Sequence, residues 1–122
     1  MKIVVVEDEV RIREGIRNLI DMLDKAWEFA GEAENGKEGF ELIKRERPDV
    51  VITDIRMADM DGLQMLESLQ KEGIEVKTIV VSAYSEFEYA RTALNLGVAE
   101  YLLKPISIDE FFETLDRVKK QV

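Results

Sequence analysis

Five short apolar runs alternate with helical segments along this 122-residue chain, and that strict alternation leaves few folds open. The runs are Lys2–Val6, Trp27–Ala33, Asp49–Thr53, Val76–Val81 and Glu100–Leu103. Several are apolar at nearly every position, so both of their faces must be buried. Between them, apolar residues recur at three- and four-residue spacing, as in Ile12, Ile16, Leu19, Ile20 and Leu23. The later segments place Phe40, Leu42 and Ile43; Leu63, Leu66 and Leu69; Tyr89, Ala93, Leu94 and Leu96; and Ile108, Phe111, Phe112, Leu115 and Val118. Pro48, Gly73 and Gly97 stop helices, while Ser85-x-x-Glu88 and Ser107-x-x-Glu110 read as capping boxes. Such a βα alternation predicts a single α/β domain over residues 1–122, a parallel sheet with helices on both faces.

In open parallel sheets, ligands bind outside the carboxyl ends of the strands. The polar residues there are Glu7-Asp8, Asp54, Ser82 and Lys104. Each alone has a plainer reading as a turn former, a cap or a solvated side chain. Together they carry the parts of one chemistry. Clustered carboxylates repel unless a cation lies among them. Asp8, Asp54 and a loop carbonyl suit Mg²⁺, with Glu7 acting through a retained water. Asp54 can then attack phosphorus to give an acyl phosphate, with Lys104 and Ser82 facing the phosphoryl oxygens.

Other chemistries are excluded by composition. The chain has no histidine and no cysteine, so His-based metal sites, Ser-His-Asp catalysis and disulfides are absent. Its net charge of −9 disfavours direct contact with nucleic acid or an anionic membrane. There is no membrane-length apolar stretch and no charged-then-apolar leader, so a cytoplasmic location is expected. Glu7-Asp8-Glu9-Val10 after the first run contains neither Gly-rich nucleotide motif. Asp59-x-Asp61-Gly62 fails as a calcium loop, because its first and twelfth positions would be Met57 and Ser68. An aspartyl phosphatase would place Asp-x-Asp after the first strand, where Glu7-x-Glu9 stands.

The set Glu7-Asp8, Asp54, Ser82-Ala83 and Lys104-Pro105, at these intervals, resembles the receiver domain of two-component response regulators. The resemblance spans essentially the whole chain. It implies a flavodoxin-like (βα)5 fold with strand order 2-1-3-4-5. It further implies phosphoryl uptake on Asp54 from a sensor histidine kinase with Mg²⁺, the Arg56 carbonyl as third protein ligand, and a cis Lys104-Pro105 bond. The implied role is signalling rather than enzymatic turnover. Ser82 and Tyr101 match the family's switch pair, whose movement alters a surface of helix four, strand five and helix five, from Ser85 to Val122. That surface could support a homodimer or relay to a DNA-binding output domain. The Tyr84-Ser85-Glu86-Phe87-Glu88-Tyr89-Ala90 stretch resembles receivers attached to AraC-type regulators. Ala58 stands where the family usually has proline, a loss expected to cost about 0.4–1 kcal/mol through a freer unfolded chain and to leave the loop after Asp54 less rigid. The competing reading is a receiver-like interaction module that works without phosphorylation. Its signature would be loss of Asp8, Asp54 or Lys104, and all three are present.

Overall fold

A computed structural model describes residues 1–83 and 87–122. The elements run in the order β1 (Lys2–Val6), α1 (Val10–Asp21), β2 (Glu28–Ala33), α2 (Gly36–Glu46), β3 (Val50–Thr53), α3 (Gly62–Lys71), β4 (Lys77–Ser82), α4 (Phe87–Asn95), β5 (Glu100–Leu103) and α5 (Ile108–Lys119). All strand pairs are parallel and the sheet order is β2-β1-β3-β4-β5. This is the flavodoxin-like order, whose direction reverses between β1 and β3.

The buried runs explain the layering. Side chains alternate across a strand, so Ile3 and Val5 enter one core while Val4 and Val6 enter the other. The first core packs Ile16 and Ile20 of α1 with Phe111, Leu115 and Val118 of α5. The second packs Leu42 and Ile43 of α2 against Met65, Leu66 and Leu69 of α3.

Several boundaries differ from the sequence expectation. Trp27, Asp49 and Val76 lie just outside their strands, while β4 continues to Ser82. Leu23 and Leu96 lie beyond the ends of α1 and α4, although both pack against a core. Leu94 is 71% exposed and Ile108 55% exposed, so neither belongs to a buried stripe. Successive helical residues point about 100° apart, so Ala93, which is buried, turns Leu94 outward. Ile108 opens α5, one turn before Phe111 meets the sheet. Ser107 accepts a hydrogen bond from the Glu110 amide, as its capping position requires. The complete capping box is formed instead by Asp61 and Gln64 at the start of α3. The expected cap at Ser85 lies outside the described residues.

Strand register brings the site together. Val6 pairs with Thr53, and the Asp54 amide donates to the Val6 carbonyl at 3.0 Å. Ser82 pairs with Leu103, and the Lys104 amide donates to the Ser82 carbonyl at 2.9 Å. The polar residues that follow β1, β3 and β5 therefore emerge along one edge, as the parallel arrangement demands.

Candidate functional site

Lys104 is the cation among the carboxylates. Its ammonium donates to Glu7 Oε1 at 2.6 Å and to Asp54 Oδ2 at 3.1 Å. Glu7 is buried and Asp54 is only 7% exposed, whereas Asp8 is open to solvent. The second Glu7 oxygen accepts from the Glu9 amide at 3.2 Å, and Asp54 Oδ1 accepts from the Ile55 amide at 2.7 Å. Glu7 is thus tied to Lys104 directly, a contact that the sequence reading of a water-mediated role did not contain.

Burial pushes the Glu7 carboxyl up to about 7 from 4.5. The Lys104 hydrogen bond opposes that rise, while Asp8 and Asp54 add to it. Burial also works against the Lys104 charge, but Glu7 and Asp54 together outweigh it and raise the ammonium above its ordinary range.

The Glu7 shift has a consequence for stability. Between pH 4.5 and about 7 the folded chain keeps a proton that the unfolded chain has released. The stability tied to Glu7 is therefore fully present below pH 4.5 and is lost as pH rises through about 7. The loss is on the order of 3 kcal/mol. Urea denaturation in EDTA should show wild type falling behind Glu7→Gln as pH rises across that window. A wild-type advantage that grows with pH would contradict the assignment.

One oxygen each from Glu7, Asp8 and Asp54 lies within 4.8 Å of the others. This all-oxygen, partly solvated donor set fits Mg²⁺, a hard cation that keeps several waters. Among the described residues no buried polar side-chain atom lacks a hydrogen-bond partner, and Lys104 pairs with two of the three carboxylates.

Of the remaining predicted residues, Ser82 and Arg56 lie at or just past strand ends, whereas Tyr101 lies within β5. Ser82 is fully buried at the end of β4. Tyr101 is half-buried on β5, in register with Val80. Arg56 is exposed in the loop after Asp54. The Lys104–Pro105 peptide is cis, in accord with the resemblance.

That loop is fastened despite Ala58. The Gly62 amide donates to the Ile55 carbonyl at 2.7 Å, and the Gly36 amide of α2 donates to the Met60 carbonyl at 2.8 Å. A Cβ at Gly62 would lie 2.0 Å from the Asp54 carbonyl oxygen, and one at Gly36 would lie 2.2 Å from the Met60 oxygen. Hydrogen bonds and close backbone approach thus supply the order that proline would impose through φ.

Sequence reading alone does not single out Arg13. Its guanidinium donates to the Glu7 carbonyl at 2.7 Å and lies 3.5 Å from Glu32 of β2. The only available signal was an arginine facing the acidic pair from the first turns of the helix.

Comparison with known proteins shows the family and agrees with the fold. A model of the family described as response regulator receiver domain matches residues 3–116. The chain is 36% identical over 117 residues to the uncharacterized transcriptional regulatory protein YesN of Bacillus subtilis, covering 96% of this chain and 32% of that protein. It is 34% identical over 119 residues to the probable C4-dicarboxylate response regulator DctR of the same species, covering 98% and 52%. The chain thus spans about a third to a half of these curated relatives. Among solved structures, the REC domain of AraT, a response regulator from Geobacillus stearothermophilus, superposes with a TM-score of 0.89 at 39% identity, covering 98% and 93%. A LuxR-family DNA-binding response regulator from Staphylococcus aureus gives 0.88 at 32%, covering 96% and 97%. These relatives do not single out the AraC type, and part of the stretch that suggested it, residues 84–86, lies outside the described residues.

Proposed function

The chain belongs to the response regulator receiver domain family, the signalling switches of two-component systems, and from that premise we propose that Asp54 is its phosphoacceptor. The observation that carries this reading is the buried Asp54 carboxylate, held against Lys104 and grouped with Glu7 and Asp8 at one strand edge. A sensor histidine kinase supplies the phosphoryl group. An Asp54 oxygen bonds to phosphorus as the phosphorus–nitrogen bond of the donor phosphohistidine breaks, and that electron pair leaves with the imidazole. Asp8, Asp54 and the Arg56 carbonyl would hold Mg²⁺, with Glu7 acting through water. When bound, the ion supplies positive charge to the phosphoryl oxygens. Lys104 and the Ser82 hydroxyl face the same oxygens, and Lys104 thereby exchanges part of its hold on the carboxylates for the new charge.

Phosphorylation adds about −1.5 to −2 charge to this edge. Ser82 and Tyr101 form the switch that carries the change to the α4-β5-α5 face. Exposed Leu94, Leu103 and Ile108 on those elements support that face as an interaction surface, for a second copy or for a DNA-binding output domain in a longer parent chain. Among the described residues no helix is long and apolar enough to cross a membrane.

Incubation with a small acyl phosphate and Mg²⁺, read by intact mass, tests the reading. One phosphoryl adduct is expected, and EDTA should prevent it. Equal labelling with and without the metal would contradict the carboxylate site, and no adduct under varied donors would remove the proposal.

A further inference from the structure

The turn between β1 and α1 carries two of the three clustered carboxylates, yet it lacks the usual fastening. Glu9 occupies the cap position of α1 without a side-chain cap bond. Arg13 reaches back over this turn instead. Its Nη1 donates to the Glu7 carbonyl at 2.7 Å while its Nε lies 3.5 Å from Glu32 Oε2, and the side chain is only 14% exposed. A cation near the start of a helix stands against the helix dipole, so this placement needs a compensating role. The planar guanidinium can serve two acceptors from one rigid fork, which a lysine ammonium cannot reproduce. On the far side of the turn, the Glu7 amide donates to Ala33 of β2 at 2.9 Å. Glu7 is therefore tied to β2 through both its backbone groups, one directly and one through Arg13 and Glu32.

We propose that Arg13 is a positioning residue that fastens the Glu7 carbonyl to β2, holds the Glu7-Asp8 turn facing Asp54, and so sets Mg²⁺ affinity without entering phosphoryl transfer. This rests on the reading that these carboxylates hold Mg²⁺. Arg13 touches neither Asp54 nor Lys104 in any hydrogen bond or ion pair described above; it acts through the backbone of Glu7.

The test compares wild type, Arg13→Met and Arg13→Lys. Mg²⁺ binding is measured by calorimetry, labelling by acyl phosphate is measured at saturating Mg²⁺, and Glu9 amide exchange is measured without metal. Arg13→Met should bind Mg²⁺ about tenfold more weakly, with a saturated labelling rate within about twofold of wild type. Its Glu9 amide should exchange faster, because the turn has lost its strap. Arg13→Lys should recover little of the lost affinity. Wild-type Mg²⁺ affinity in Arg13→Met, full recovery in Arg13→Lys, or equal losses in affinity and saturated rate would each overturn the positioning role. Absence of Mg²⁺ binding by wild type itself would instead overturn the underlying reading, and this role with it.

Discussion

Asp54→Asn should accept no detectable phosphoryl group while remaining folded. Asparagine keeps the side-chain size and can still accept the Ile55 amide through its oxygen, a bond of 2.7 Å in wild type. What it lacks is the anionic oxygen that the proposed transfer requires. The substitution also removes a negative charge that helps raise Glu7. Carboxyl NMR should therefore show Glu7 titrating at lower pH in the folded variant. These readouts separate lost chemistry from lost structure: an adduct on folded Asp54→Asn would move the acceptor elsewhere. An unfolded variant would contradict the prediction that the side chain is dispensable for the fold.

The second large effect is expected at Gly62. Alanine there would place its Cβ 2.0 Å from the Asp54 carbonyl oxygen and 3.2 Å from Thr53 Oγ1. Backbone cannot yield as a flexible side chain does, so α3 must retreat or the loop must open. Overpacking of this kind costs about 3 kcal/mol. Because the displaced atom belongs to Asp54, phosphoryl uptake should slow as well. Gly15→Ala is the control. A Cβ at Gly15 meets nothing within 4 Å in the middle of α1, and alanine should stabilise that helix by about 0.5–1 kcal/mol. Urea denaturation of both variants checks the pair; equal stabilities would refute the close-approach account.

The sheet was legible because its central strands β1, β3 and β4 are buried on both faces and its helices on one, and those two patterns differ plainly in sequence. Helix edges were less legible. Leu94 and Ile108 share the apolar spacing of their neighbours but are exposed. Periodicity fixes a direction around a helix, while burial also depends on where the sheet ends. At the site, residue types identified Glu7, Asp8, Asp54 and Lys104 as a group. They gave no sign that the Lys104 ammonium would lie 2.6 Å from Glu7, since that depends on how two strand ends settle in space. Arg13 was hidden for a related reason. The significance of Arg13 lies in a backbone carbonyl, which carries no residue-type signal, whereas Asp61-x-x-Gln64 does have the capping-box spacing and was legible by the rule applied to Ser107-x-x-Glu110.

The Lys104–Glu7 contact joins residues 97 positions apart. Bridging that interval closes nearly the whole chain, so the contact belongs to the most non-local part of the topology. A nascent chain that has not yet added β5 holds Glu7 and Asp54 without their ammonium. The pairing of these two buried carboxylates is consequently a property of the finished fold, and truncation before Lys104 would leave the acidic site intact in composition but electrostatically incomplete.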